Sequence, residues 1–256
     1  MKKSTTVLPN LNKESTKLRD DLGQLQNCNN LQLPQESPPS QKLVFFDLDH
    51  TLINGNVSFL FGKYLYRNKK ISLDIVIANL FAYAMHKGGF LSMEGLHQAV
   101  FNRLFIGKKS SDFVKAARNF LQKEINIYLN PTLFTTLQKY QRGGHKTVLL
   151  SSSPSFIIEI LSEILKIDYF GGTHYLVDKR GCFAHISHMM DGRAKADFVR
   201  RLCLKIGVAP AETIAFSDSI LDLPFMEAAG TAVGVNPDRK LSRICRKRGW
   251  QIVTKS

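Results

Sequence analysis

The sequence predicts an α/β protein whose mostly parallel sheet is covered by helices on both faces. From Lys42 onward, short β-branched and aromatic runs alternate with amphipathic helical patterns, which is the order a helix-covered parallel sheet requires. The alternation stops once: residues 56–129 carry helical patterning only, and a helical insertion between the first and second strands is the simplest account.

Taken in order, residues 1–40 are rich in Asn, Gln, Ser, Lys and Pro and end in "PQESPPS", which predicts a disordered tail. The first strand is expected over 42–46. In the insertion, "EGLHQAVFNRLF" repeats apolar residues at Leu96, Val100, Leu104 and Phe105, and "SDFVKAARNFLQKEI" does so at Phe113, Ala117, Phe120 and Leu121. "ISLDIVIANLFAYAM", 71–85, leaves two readings open. It is either a buried helix of the insertion or, with basic "YRNKK" at 66–70 beside it, a helix that touches a membrane surface. Its fifteen residues fall short of the roughly 20 needed to span a bilayer, and Asp74 and Asn79 interrupt it.

"NPTLFTTLQKYQRGG", 130–144, predicts a helix capped by Asn130, with Pro131 in its first turn and Gly143 at its end. Strands are then expected at 146–150, 213–216, 231–235 and 250–253. Helices are expected at 155–167, with Ile157, Ile160, Leu161 and Ile164 on one face, and at 195–207.

Composition narrows the function classes. The 256 residues are 44% hydrophobic and 22% charged, ordinary for a globular chain. A formal charge of +14 favours contact with phosphorylated substrates, anionic lipid or nucleic acid, although no nucleic-acid-binding motif accompanies it. Cys28, Cys182, Cys203 and Cys245 lack CxxC or zinc-type spacing and read as free thiols. The N-terminal "MKKS" is not followed by the apolar core of a secretory signal, so a cytoplasmic protein is expected.

The chemistry gathers where strands end. "KLVFFDLDHTL" takes an apolar strand out of the core into Asp47 and Asp49, with Thr51 two residues on. Clustered carboxylates must meet water, a cation or a metal, because burying one unpaired is very costly. "AFSDSILDLPFM" repeats the pattern with Asp218 and Asp222, whose spacing of four fits one face of a short helix starting near Asp218. Taken singly, the first pair could be a strand-end turn, the second a helix start and Ser151 a strand terminus. Asp47, Ser151 and Asp218 each sit at or just beyond the end of an expected strand, however, and ligands of parallel sheets collect at carboxyl strand ends. Oxygen donors from separate loops suit Mg²⁺.

Together these segments resemble the haloacid dehalogenase superfamily of phosphatases. "DLDHT" matches its DxDx(T/V) motif, "TVLLSSSP" its strand ending in Ser or Thr, "GRAKADF" its lysine-led helix and "SDSILD" its late acidic pair, over about residues 42–253. The resemblance implies a doubly wound, Rossmann-like core of residues 41–55 and 130–256 with a small helical cap of the C1 type at 56–129. "SSSP", "GTHYLVDKRGCFAH" and "VNPDRKLSRICRKRGWQIV" narrow it to subfamily IB, on the phosphoserine-phosphatase-like branch.

What the resemblance implies is a Mg²⁺-dependent phosphomonoesterase. Asp47 would be the nucleophile that becomes an aspartyl phosphate, and Asp49 the general acid and base. Ser151, Ser152 and Lys195 would bind phosphate, with Lys195 also keeping Asp47 ionised. Asp47, Asp49 (through its carbonyl) and Asp218 would hold the metal, with Asp222 and Thr51 supporting them. Departures bear on the substrate: Asn56 stands in the segment where phosphoserine phosphatases carry a substrate-binding glutamate, which disfavours phosphoserine. Ser217, Leu221 and His50 also depart from common residues of the family. A lipid phosphatase of the phosphatidylglycerophosphate type at the inner membrane face, transfer to an acceptor other than water, and a noncatalytic phosphate or anionic-lipid binder stay open as alternatives.

Overall fold

A computed structural model describes residues 41–254; the tail expected over residues 1–40 lies outside the described residues. Its sheet holds β1 (Leu43–Asp47), β2 (Lys146–Pro154), β3 (Tyr169–Val177), β4 (Phe183–His188), β5 (Thr213–Ser217), β6 (Thr231–Val235) and β7 (Gln251–Val253) in the order β4-β3-β2-β1-β5-β6-β7. All neighbouring pairs are parallel except β3 with β4. Central β1 is buried throughout and divides its side chains with period two. Val44 and Phe46 enter the larger apolar cluster, Leu43 and Phe45 the other.

Each face is covered by its own helices. On the first, α1 (Val57–Arg67), α3 (Met93–Leu104), α4 (Ser110–Tyr128), α5 (Pro131–Arg142) and α6 (Ser155–Leu165) contribute Phe61, Phe101, Phe120, Leu133 and Ile157 to the larger cluster. On the second, α7 (Gly192–Ile206), α8 (Leu223–Glu227) and α9 (Arg239–Arg248) contribute Val199, Phe225 and Leu241. The chain steps from β1 outward through β2 and β3, then returns to the other side of β1 with β5. Such a reversal leaves a crevice at the carboxyl end of the strand where it occurs, which here is Asp47.

Two expectations need correction. No strand is anticipated between 155 and 213, yet β3 and β4 form an antiparallel pair there. The Gly171–Gly172 pair interrupts the apolar run of β3, and β4 carries exposed His185, Ser187 and His188 among few apolar residues, so neither shows a plain strand pattern. Gly172 is required by packing: a Cβ there would lie 2.7 Å from Ser155 Cα. The hairpin is clipped to the turn between α3 and α4 by Gly107 N–H to Phe183 O (2.8 Å) and Phe183 N–H to Lys108 O (3.0 Å), and Phe105 packs edge-on against Phe183.

The second concerns α2 (Leu73–Lys87), within the segment read first as a buried helix. Ala82 is its one buried residue, whereas Leu73, Ile77, Leu80, Phe81 and Tyr83 are exposed. Its apolar residues surround the helix, and α1 and α3 cover only part of that circumference.

Asn130 ties the fold to the loop after β1. Its Oδ1 accepts from Leu133 N–H (3.4 Å), capping α5, while its Nδ2 donates to Thr51 O (3.1 Å) and its own N–H to Leu52 O (2.9 Å). Asn130→Ala should lower unfolding free energy by about 1–3 kcal/mol in urea titration, because it removes a buried cap and strands the Thr51 carbonyl.

Candidate active site

The sheet brings the predicted residues to one level. Asp47 pairs in register with Leu150, one residue before Ser151, and Phe46 pairs with Phe216, one residue before Ser217. Parallel register thus places the ends of β1 and β5 beside Ser151, within a β2 that runs on to Pro154, before any side chain is considered.

Lys195 joins them from the other layer. It lies in the first turn of α7, whose N-cap Asp191 accepts from Ala194 N–H, and it is 97% buried. Its Nζ donates to Asp47 Oδ1 at 2.6 Å and to Asp222 Oδ2 at 2.7 Å. Buried Ser217 donates its Oγ to the same Asp222 oxygen at 2.8 Å. Burial works against the ammonium, but Asp222 and Asp47 outweigh it and hold Lys195 protonated well above the ordinary range.

Asp47 is pulled both ways. Burial raises its carboxyl, Lys195 lowers it, and Asp222, Asp218 and Asp49 raise it again, leaving it well above the ordinary carboxylate range. Lys195 thus acts on Asp47 against the carboxylates of Asp222, Asp218 and Asp49. That surplus of hard negative oxygen fits a divalent cation such as Mg²⁺. Among the described residues, no group of three or more His, Cys, Asp or Glu side chains is gathered as a metal cluster. A set of two carboxylates and a main-chain carbonyl does not require one.

Asp49 occupies a different environment. Its Oδ1 accepts from Val57 N–H (2.6 Å) at the start of α1, and its Oδ2 from Ser151 Oγ (3.0 Å) and Ser153 Oγ (3.1 Å). Burial raises its carboxyl despite these bonds. Ser153 also meets Ser58 Oγ of α1 at 2.9 Å, so α1 and the end of β2 share the same acid. Ser152 is half-buried between them, and its carbonyl accepts from Thr173 Oγ1 at 2.5 Å.

Thr51 donates to Asp218 Oδ1 at 3.4 Å, linking the loops after β1 and β5. Asp218 does not begin a helix, as its spacing to Asp222 suggested. A 3₁₀ turn over Ile220–Asp222 intervenes and brings Asp222 back to Lys195. Asp238 holds this turn from outside: its Oδ2 accepts from Ile220 N–H (2.8 Å), its N–H donates to Asp218 O (2.8 Å), and its Oδ1 caps α9. His50 is exposed with φ of 60°, and Leu221 is 59% exposed.

Ser153, Ser217, Gly192 and Asp238 thus contribute without having been singled out for these contacts. The sequence signals were faint: a third serine after the strand, a hydroxyl before Asp218, "GRAK" and "VNPD". Gly192 has a steric reason. A Cβ there would lie 2.1 Å from Leu221 O, so α7 can approach the 220–222 turn, and Lys195 can reach Asp222, only if residue 192 has no side chain.

Comparison with known proteins gives a consistent picture. Residues 44–227 match the family model for haloacid dehalogenase-like hydrolases. The chain is 26% identical to the "Inhibition of morphological differentiation protein" of Streptomyces azureus, over 82% of this chain and 76% of that one. It is 27% identical to a phosphoserine phosphatase of Mycobacterium tuberculosis, covering 81% and 69% respectively. Among solved structures, a protein of unknown function from Bordetella pertussis Tohama I superposes with a TM-score of 0.75 at 20% identity, over 83% of this chain and 98% of its own, a likeness of fold.

Two outcomes are expected. Gly192→Ala should lower the melting temperature and weaken the Lys195–Asp222 contact, read by calorimetry and by amide exchange across 219–223. Burial, and then Asp222, push the Asp218 carboxyl up to about 7 when no metal neutralises it. A carboxyl raised on folding stabilises while protonated, and that contribution is lost as pH rises through its folded value. The metal-free protein should therefore melt at lower temperature as pH goes from about 4 to about 8, and Asp218→Asn should flatten that slope.

Proposed function

Because this chain belongs to the haloacid dehalogenase-like hydrolase family, we propose that it is a Mg²⁺-dependent phosphomonoester hydrolase working through an aspartyl phosphate on Asp47. The observation that carries the reading is Lys195, buried and bonded at once to Asp47 and Asp222, which sets a carboxylate and an ammonium at the crevice where the strand order reverses.

In this reading Lys195 holds Asp47 Oδ1, and the other carboxylate oxygen attacks phosphorus. The ester P–O bond breaks as Asp49 delivers a proton to the departing alkoxide, and Asp49 then takes a proton from the water that cleaves the acyl phosphate. A carboxyl raised by burial suits the first of these steps, since it carries its proton closer to neutrality. Ser151, Ser152 and Lys195 supply donors for phosphoryl oxygens, and Ser151 would exchange its bond to Asp49 for one to the substrate. Asp47, Asp218 and the Asp49 carbonyl would hold Mg²⁺, with Thr51 and Asp222 orienting their neighbours. When bound, the ion supplies positive charge that offsets repulsion between Asp47 and a phosphate dianion.

We assign residues 56–129 to a cap over the core of 41–55 and 130–256. The Asn56 Oδ1 accepts from Phe59 N–H at 2.9 Å, so this side chain caps α1. A neutral amide engaged in this way offers no charge to a substrate amine, and phosphorylated compounds without one are favoured.

The test is phosphate release from phosphoserine, sugar phosphates, histidinol phosphate and phosphatidylglycerophosphate, with Mg²⁺ or EDTA. Wild type should release phosphate only with metal. Asp47→Asn should abolish release, and Asp49→Asn should slow it by about 100- to 10,000-fold. Metal-independent release, or full activity in folded Asp47→Asn, would sink the mechanism.

A further inference from the structure

The exposed side of α2 is more than a scatter of surface apolar residues. Leu73, Ile77, Leu80 and Phe81 recur at helical spacing and are 53%, 56%, 48% and 66% exposed. Side chains at i, i+4, i+7 and i+8 line one face of a helix, so they form a single stripe. Ile75, on the opposite side of the helix, and Val76, on the flank of the stripe, pack partly against the larger apolar cluster. A contiguous apolar patch, unlike single exposed residues, marks a surface built for contact. At the far end of α2, Phe90 is 78% exposed.

Charge selects the occupant. The stripe begins directly after an open depression of about 490 Å³ lined by Tyr66, Arg67, Lys69, Lys70, Ile71 and Ser72. Between residues 63 and 87 there are five Lys or Arg residues against the single acid Asp74; Arg67 is paired with Glu124, which leaves Lys63, Lys69, Lys70 and Lys87 to face an anionic surface. Apolar side chains bordered by cations complement an anionic bilayer, whose headgroups meet the cations while the stripe enters the acyl boundary. A two-fold pairing of this face with a second copy would instead set like basic surfaces against each other. Crossing the bilayer is not involved: no helix among the described residues is long and apolar enough.

We propose that the α2 stripe and the basic loop before it form a docking surface for an anionic lipid bilayer. The surface adjoins the candidate site through α1, whose first residue donates its N–H to Asp49 and whose last is Arg67. Eleven residues of helix, roughly 16 Å, separate the two. Docking is independent of which phosphoester is hydrolysed.

The experiment is co-sedimentation of the full chain with phosphatidylcholine vesicles containing about 30 mol% phosphatidylglycerol, against phosphatidylcholine alone. Binding should appear with the anionic vesicles and fall as salt is raised. Ile77→Glu with Phe81→Glu, and separately Lys69→Glu with Lys70→Glu, should each raise the half-binding lipid concentration by about tenfold or more. Neither pair should move the melting temperature appreciably, since all four residues are exposed. Four results would overturn the proposal. Failure of the wild type to bind anionic vesicles is the first, and equal binding to neutral ones the second. Binding unchanged in the α2 variants would place the contact elsewhere, for instance on basic α9. A lipid-indifferent dimer, made monomeric by Ile77→Glu with Phe81→Glu in sedimentation equilibrium, would assign the face to a second copy.

Discussion

The buried ammonium of Lys195 between Asp47 and Asp222 is the interaction on which the site's geometry depends. It connects the end of β1, the first turn of α7 and the 3₁₀ turn after β5, three segments drawn from distant parts of the sequence. A lysine so deeply placed is tolerable only because two carboxylates repay its desolvation, and removing either partner would leave charge uncompensated. The requirement spreads outward. Ser217 fixes Asp222, Asp238 fixes the turn that carries it, and Gly192 permits the close approach of α7. The surplus of carboxylates over ammonium then gives the crevice an appetite for a further cation, which the proposed reaction uses.

Asp47 and Asp49 are two residues apart, yet their surroundings differ in kind. Asp47 faces an ammonium in the core, whereas Asp49 is held by neutral donors from α1 and from the serines ending β2. Burial raises both carboxyls, but the donors to Asp49 are neutral whereas that to Asp47 is charged, and unlike surroundings let two neighbouring carboxyls take different parts in the proposed reaction. The Val57 N–H and the Ser58–Ser153 contact also make the position of α1 felt at Asp49. Any movement of the inserted helices would therefore reach the proposed acid-base group directly.

The insertion serves two surfaces at once. Phe61, Phe101, Phe105 and Phe120 knit α1, α3 and α4 to the core, while α2 keeps much of its apolar surface outside. An apolar helix left uncovered in an otherwise well-packed unit carries a solvation cost that a binding partner can offset. The basic loop preceding α2 is what directs the choice towards an anionic bilayer.

Local pattern alone was enough to read much of this protein. The β1, β2, β5 and β6 strands are short apolar runs, α5 carries its own cap and proline, and Asp47, Asp49, Ser151, Asp218 and Asp222 follow apolar strand runs, whereas Lys195 was legible only through the family resemblance of "GRAKADF". These are properties of neighbours in the chain, governed by side-chain period and capping chemistry. Tertiary structure decided the rest. The β3–β4 hairpin exists because it pairs with β2 and clips to the α3–α4 turn, despite two glycines and scattered histidines. The Asp218–Asp222 segment became a turn because Lys195, Ser217 and Asp238 pull it inward. Most of all, the apolar segment at 71–85 could be read as core from its composition, but burial depends on which helices arrive to cover it. That supply of covering surface is a property of the whole fold, and no stretch of sequence contains it.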